Sequence, residues 1–478
     1  MRKIYLLGTI LLALWACDKQ DSNIEKKPQI NTEEELPNTS DTEPINLTEM
    51  DNGNRAMMQA FYWDVEPRGG WWDKISEKVA DWKANGIDRI WLPPACKGAS
   101  GGYSMGYDPS DYYDLGNYNQ HGTTETRFGS KDELVSLITK AHQVGLEVVA
   151  DIVIGHNNGG GKEWNPYRNK ETYTLFDKTH GCASGKFTRN YNDFHPNLDE
   201  DHDEGADFYP EQDLCHKKDY VQGWLWKQDN SVAKYYKNTI KIDGWRFDYV
   251  KSFGAWVVKD WLAAVGGFAV GELWDGNADV LKSWTDNSGA SAFDFACFYT
   301  LEQALDGNNL KGLKNPRMLR TLNPNKAVTF AANHDTEKDS NQGNRIDTEN
   351  KLLAYAYILT HSGYPTIFYS DYEKSEWKAK LQQLLLIHRS LAAGEERFYY
   401  ASPTEFIDFR LGDTKSPGMI LYLNNAKKSS TQTVDTPWKD RVIIDYTNHV
   451  IKRYKTNAAG KVTITVPAKS YTVWSIGK

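Results

Sequence analysis

The sequence predicts an α/β protein: a (β/α)8 TIM barrel with an irregular domain inserted after the third strand and an antiparallel β domain at the C-terminus. Three observations carry this. From Ala56 to Gly394, short apolar runs alternate with helix-length stretches, and eight such runs read as parallel strands buried on both faces. From Asn157 to about Tyr220 the alternation stops, and a Gly-, Asn- and Asp-rich segment follows that is far too long for a barrel loop. After Gly394 the pattern becomes short alternating strands with Asn, Asp and Gly turns, ending in Val-Thr-Ile-Thr-Val-Pro and Tyr-Thr-Val-Trp.

The chain begins with Arg2 and Lys3 ahead of an apolar run from Ile4 to Ala16, which is too short to span a bilayer and has the form of a signal peptide. It ends Leu-Trp-Ala-Cys, which resembles a bacterial lipobox with Cys17 as the acylated residue. Residues 1–17 are therefore expected to direct export and to leave a lipoprotein anchored to the cell envelope. The alternative is an ordinary secretory signal with an incidental cysteine. Residues 18–54 are rich in Glu, Asn, Thr, Pro and Lys with almost no aromatic residues, and are expected to form a flexible tether.

The barrel is expected over 55–154 and 222–394. Its first strand reads Met57–Trp63, followed by a helix Trp71–Lys83 and a second strand Ile87–Leu92 closed by Pro93 and Pro94. Ser130 caps an amphipathic helix running to Val144, with Asp132 and Glu133 at its positive end. Leu146–Ile154 is the third strand, and 155–221 the inserted domain. A helix from about Val221 to Asn238 restores the alternation. Strands four and five lie within Gly244–Asp275, around a helix from Phe253 to Val265; the sixth reads Ala292–Tyr299, the seventh Ala327–Ala332 and the eighth Pro365–Tyr369. Helices near Asn350–His361 and Glu376–Ala392 flank the eighth strand, and 395–478 is the C-terminal β domain.

The net charge of −8 argues against a nucleic-acid partner. The chemistry concentrates in Gly244–Asp275, where two short apolar runs each end in a carboxylate, Asp248 and Glu272. The side-chain period of two puts Arg246 and Asp248 on one face. A strand-helix-strand connection brings the two carboxylates to the same rim. Two carboxylates facing each other there suit glycosidic chemistry, one attacking while the other donates a proton.

Strand ends elsewhere supply Asp151 to His156 after the third strand and Asn333-His334-Asp335 after the seventh. In this order, Asp-Ile-Val-Ile-Gly-His, Gly-Trp-Arg-Phe-Asp-Tyr-Val-Lys, Gly-Glu-Leu-Trp and Phe-Ala-Ala-Asn-His-Asp resemble the four motifs of the α-amylase family, glycoside hydrolase family 13. Met-Gln-Ala-Phe-Tyr-Trp-Asp at 58–64 and Tyr-Ser-Met-Gly-Tyr-Asp-Pro at 103–109 are similar to archaeal and plant-like members. The resemblance implies an endo-acting, retaining α-amylase on α-1,4-glucans, with an α-1,6-acting or transglycosylating relative, or a non-catalytic glucan-binding homologue, as the rival readings. It implies Asp248 as nucleophile, Glu272 as general acid/base and Asp335 as the carboxylate that holds sugar hydroxyls. Tyr107, His156 and His334 would serve the sugar at the cleavage point, Arg246 would join them in substrate binding and keep Asp248 ionised, and Lys251 and Trp274 would serve the leaving-group side. A monomer is expected.

The inserted segment carries eight acidic residues between Asp199 and Asp213, a density that invites a hard cation. The run resembles the family's calcium site, with Asp203, Asp213 and the carbonyls of Ala206 and Ser252 as implied ligands. The family's remaining ligand, an Asn, is Gly155 here, which is expected to weaken the site and leave Gly155→Asn able to strengthen it. His195, His202 and Cys215 resemble the zinc trio of some archaeal relatives, while a Cys182–Cys215 disulfide competes for the same thiol; the two stay open.

Overall fold

Eight parallel strands close into one circle. The structure, a computed structural model, describes residues 43–67, 69–198, 205, 209, 211–338 and 344–478; Cys17, His202, Asp203 and Ala206 lie outside the described residues. The strands are β1 (Ala56–Gln59), β2 (Ile87–Leu92), β3 (Glu147–Ile152), β4 (Gly244–Phe247), β5 (Phe268–Gly271), β6 (Ser291–Phe293), β7 (Ala327–Phe330) and β8 (Tyr364–Phe368). Around the circle they run β1-β8-β7-β6-β5-β4-β3-β2. Their side chains are buried almost without interruption, which is why they read as continuous apolar runs. Asp151 pairs with Arg246, and Phe247 with Gly271. Asp248 and Glu272 therefore stand one step beyond the ladder, on neighbouring strands at the same rim.

Local signals in the sequence explain most helix boundaries. Ser130 accepts from the Glu133 amide while the Glu133 carboxylate accepts from the Ser130 amide, which starts the helix Lys131–Gln143. Other stretches depart from the periodicity. The segment Trp71–Lys83 is two short helices, Trp71–Ser76 and Val79–Ala84, because the chain tightens where the Lys78 amide bonds Ile75. The helix expected over Val221–Asn238 is broken by wide π turns at Gly223–Lys227 and Tyr236–Ile240. The sixth strand stops at Phe293: the Asp294 carboxylate accepts from the Cys297 amide and starts the helix Phe295–Asp306. That helix is apolar on its buried face, so strand and helix read as one run.

Part of the segment expected to be a tether is ordered. Residues 43–54 pack onto the folded chain: Leu47 is buried, its carbonyl accepts from the Ser390 hydroxyl at 2.8 Å, and the Ile45 amide donates to the Tyr446 hydroxyl at 2.8 Å. One buried leucine and a few hydrogen bonds are enough to fix a segment without periodicity.

The loop joining β2 to the helix Lys131–Gln143 wraps around Lys97. This side chain is fully buried, and its ammonium donates to the carbonyls of Thr123 (3.0 Å), Thr124 (2.6 Å) and Glu125 (3.2 Å), with the Asp114 carboxylate 3.6 Å away. The same loop carries Tyr107. Between β3 and β4 the inserted segment contributes a hairpin of Gly161–Asn165 against Lys170–Leu175.

Past the barrel, six strands form an antiparallel sheet: Glu396–Ala401, Glu405–Arg410, Met419–Asn424, Ser470–Ile476, Val442–Asp445 and Tyr454–Lys455 in spatial order. Ser430–Asp435 pairs with Lys461–Val466 beside it. Alternate residues serve two cores: Met419, Leu421 and Leu423 join the barrel-side cluster, while Ile420 and Tyr422 join Trp474 in a separate one. Polar contacts cross this junction. Arg320 donates to Glu396 at 2.8 Å, and His361 Nε2 lies 3.0 Å from the Asp408 carboxylate. Among the described residues no helix is long and apolar enough to cross a membrane.

Candidate active site

Arg246 organises the rim. Its side chain is fully buried, and Nη1 donates to Asp151 Oδ1 at 2.9 Å and Asp248 Oδ1 at 2.8 Å, while Nη2 forms an ion pair with Glu272 Oε1. The backbone holds these groups in place: the Asp248 amide bonds the Ile152 carbonyl, and the Glu272 amide bonds the Phe247 carbonyl. Gly271 matters to this arrangement, since a Cβ there would lie 2.2 Å from the Trp284 ring that packs against the strand.

Three carboxylates around one guanidinium cannot all stay ionised at low cost. Burial raises two of them, Asp151 to about 7 and Glu272 to about 8, with Arg246 opposing in both, and the greater number of donors favours the charged form at Asp151. Asp151 accepts from Trp91 Nε1 (3.0 Å), Tyr107 (2.9 Å) and Arg246. Glu272 has the Tyr249 amide at 3.1 Å and the Arg246 contact. Burial pushes the Glu272 carboxyl up to about 8; Arg246 opposes this, and the charges of Asp248 and Asp335 add to it. Burial also raises the carboxyl of Asp335, with Arg246 and Lys338 opposing.

His334 is fixed between two partners. Burial and the positive charge of Arg246 hold its pKa well below the ordinary value, so the ring is neutral. Gln59 Nε2 lies 2.9 Å from Nδ1 and donates to it, which leaves the ring proton on Nε2, 2.7 Å from the Tyr107 hydroxyl. Tyr107 in turn donates to Asp151. Asp335 Oδ2 is 3.4 Å from His334 Nε2. His156, another neutral imidazole lowered by burial, has Nε2 2.9 Å from the Tyr107 carbonyl.

The structure thus gathers Asp248, Glu272, Asp335, Arg246, Tyr107, His156 and His334 into one site. Lys251 and Trp274 stand at its flank: Lys251 is on the turn after β4, and Trp274, two residues past Glu272, packs its ring 4.5 Å from Phe295. Among the described residues neither side chain hydrogen-bonds the carboxylates. Sequence reasoning named Asp151 as a strand end without giving it a role, and passed over Gln59, Trp63 and Trp91. Gln59 had a signal, being a lone polar residue at the end of an apolar strand.

A second cluster ties the inserted segment to the barrel. Asp213 and His195 are both buried, with His195 Nδ1 2.7 Å from Asp213 Oδ2. The Leu214 amide bonds the Gly155 carbonyl at 3.0 Å. Gly155 lies directly against Ser252, because a Cβ at 155 would meet the Ser252 hydroxyl at 2.3 Å. Gly205, from the acidic run, approaches the same turn so closely that a Cβ there would lie 2.0 Å from the Lys251 carbonyl. Buried carboxylate and backbone oxygens on both sides of this junction are hard donors of the kind calcium takes. Asp213 and the Ser252 carbonyl fit that ion; Asp203 and Ala206 lie outside the described residues.

Cys182 and Cys215 are both free, buried thiols, so the competing disulfide is not formed. His195 and Cys215 complete no three-ligand group among the described residues, and His202 lies outside them. The group that does come together, His361, Glu396 and Asp408, is the ion-pair junction described above, with Glu396 held by Arg320.

The comparisons agree with this geometry. The family described as "Alpha amylase, catalytic domain" matches residues 38–380, and "Alpha-amylase C-terminal" matches 419–475. The chain is 30% identical over 481 residues to an alpha-amylase of Geobacillus stearothermophilus, covering 88% of this chain and 87% of the relative. It is 27% identical over 506 residues to the glucan 1,4-alpha-maltohexaosidase of Bacillus sp. strain 707, covering 90% and 95%. The crystal structure of alpha-amylase from Geobacillus thermoleovorans, complexed with acarbose, superposes with a TM-score of 0.67 at 18% identity, covering 89% of this chain and 98% of that one, a likeness of fold. The catalytic-domain match spans well over half of the sequence and includes every carboxylate of the rim, and on that ground the chain belongs to the alpha-amylase family.

Proposed function

We propose that this glycoside hydrolase cleaves internal α-1,4-glucosidic bonds of starch, glycogen and related α-glucans, with retention of configuration. Asp248 attacks the anomeric carbon while Glu272 protonates the departing glycosidic oxygen. The ionised Glu272 then takes a proton from water, which releases the sugar from Asp248. Asp335 holds sugar hydroxyls, His156 and His334 hydrogen-bond the sugar, and the Tyr107 ring lies beneath it. Lys251 and Trp274 flank the leaving chain. The observation that carries this reading is one guanidinium touching both Asp248 and Glu272, with burial raising the Glu272 carboxyl to about 8. Such close carboxylates suit double displacement. Proton NMR within seconds of cleavage tests it: the new reducing end should appear as the α anomer, and an initial β anomer would overturn the assignment of Asp248.

Two further proposals accompany this one. Calcium, held by Asp213 and the Ser252 carbonyl together with Asp203 and Ala206, would fasten the inserted domain to the barrel. Acylation at Cys17 would anchor an exported protein to the cell envelope, and the mass of the mature N-terminus decides it.

A further inference from the structure

Beyond His334 the cleft continues into a hollow of about 540 Å³, lined among others by Tyr62, Trp63, Lys338, Phe368 and Lys374. Tyr62 and Trp63 follow β1, Lys338 follows β7, and Phe368 and Lys374 lie at the end of β8 and beyond it. In the circle of eight strands, β1 and β8 stand opposite β5 and β4, which carry Glu272 and Asp248. Glu272 gives its proton to the departing oxygen, so the departing chain lies on its side. The hollow therefore faces the outer units of the chain that is retained.

An aromatic floor leads into it. The rings of Tyr107, His334 and Trp63 lie within 18° of parallel, with centroids 5.3, 5.8 and 6.1 Å apart. Three such spacings make a nearly equilateral triangle, so no ring is sandwiched between the other two. Trp63 and His334 of this triangle line the hollow. The Lys338 ammonium sits on the Trp63 ring, 3.4 Å from its centroid. Other lysines nearby are matched by carboxylates: Lys374 pairs with Asp371 at 2.9 Å, and Lys351 lies between Glu337 and Asp371. Among the described residues no carboxylate pairs with Lys338.

We propose that Lys338 is a specificity-determining residue: it occupies the Trp63 face on which an outer glucosyl unit of the retained chain would stack, and so weakens binding of long chains. The inference rests on the glucan-hydrolase reading above. An ammonium at 3.4 Å is in contact with the ring, so sugar and ammonium cannot share that face. A cation–π contact at an exposed site is worth about 0.5–1 kcal/mol, which the sugar must displace. The flexible lysine stem lets it yield, so the effect is attenuation rather than exclusion.

Lys338→Ala tests this through the ratio of kcat/KM on maltoheptaose to that on maltotriose, a chain too short to keep more than two units on the retained side. The ratio should rise about twofold to fivefold, and early products of maltoheptaose should shift toward longer retained fragments. Trp63→Ala should lower the ratio and abolish the response to Lys338→Ala. A merely structural role for Lys338 would change both substrates alike. An unchanged or lower ratio in a wild-type enzyme that cleaves maltoheptaose overturns this inference alone. A wild type that leaves maltoheptaose and amylose intact overturns the functional reading and this inference with it.

Discussion

Arg246 Nη2 touches Glu272 Oε1, yet burial raises the Glu272 carboxyl to about 8, above the about 7 of Asp151 on the same guanidinium. The guanidinium is shared with Asp151 and Asp248, so its charge is already spoken for. Sharing one cation among several acids lets the proposed acid and the proposed nucleophile stand side by side.

The first prediction concerns pH. The folded Glu272 carboxyl is raised to about 8, so its acid form is present below that value and lost above it. The kcat/KM of the free enzyme should therefore fall on the alkaline side with a midpoint near 8. Linkage gives a companion effect. Folded Glu272 binds a proton that the unfolded chain releases above about 4.3, so its contribution to stability declines as pH rises from there to about 8. Glu272→Gln should raise the Tm more at pH 8 than at pH 5. An alkaline limb centred below 6 would remove Glu272 from the acid role.

Removing each reacting group is the second test. Asp248→Asn, Glu272→Gln and Asp335→Asn should fold with native circular dichroism and lose starch hydrolysis by about a thousandfold or more, since each deletes a charge or proton required in the transition state. A variant within tenfold of wild type would reassign its residue.

Acid should loosen the junction between barrel and C-terminal sheet. Burial alone would raise the Glu396 carboxyl, but His361 and Arg320 more than offset it and hold it well below the usual range. A depressed folded pKa contributes stability above the unfolded value of about 4.3, and that stability is lost as pH falls below it. Glu396→Gln should cost about 1–3 kcal/mol at pH 7 by leaving Arg320 without its carboxylate. The gap to wild type should narrow as urea titrations move from pH 7 to pH 3.5. A constant gap would show that Glu396 acts by shape alone.

At Gly155 the structure revises what the sequence implies. An Asn there would push its Cβ into the Ser252 hydroxyl, which bonds the Tyr249 carbonyl at 3.0 Å. Gly155→Asn alone should therefore lower the Tm in chelator, by the order of 1 kcal/mol in stability for the displaced hydrogen bond. The pair Gly155→Asn with Ser252→Ala clears the space, and should bind calcium more tightly than wild type in calorimetric titration of metal-stripped protein. Tighter binding by the single variant with no loss in chelator would mean that Ser252 gives way freely.

The strands were legible because burial on both faces leaves unbroken apolar runs, as in Ile87–Leu92, which the structure reproduces at both ends. The helix Lys131–Gln143, after the long loop that follows β2, was legible through the chemistry of Ser130 and Glu133. Where strand and helix are both buried, as at Ala292–Tyr299, periodicity cannot place the boundary, and the Asp294 cap that sets it reads as an ordinary acid. The carboxylates of the rim stood out because strand ends collect chemistry. Gln59 and Trp91 did not, because their contacts to His334 and Asp151 cross between strands that are distant in the chain.

Lys97 gives the Tyr107 loop a counter-charge that is covalently attached. A dissolved ion fills its site according to its concentration, and a chelator or simple dilution can empty it. An ammonium on its own stem cannot be diluted away or chelated, although burial lowers its pKa and alkali would discharge it. The two sides of the cleft therefore differ: the loop that presents Tyr107 is braced by a charge built into the chain, whereas the calcium proposed at Asp213 and Ser252 would come and go with the surrounding medium.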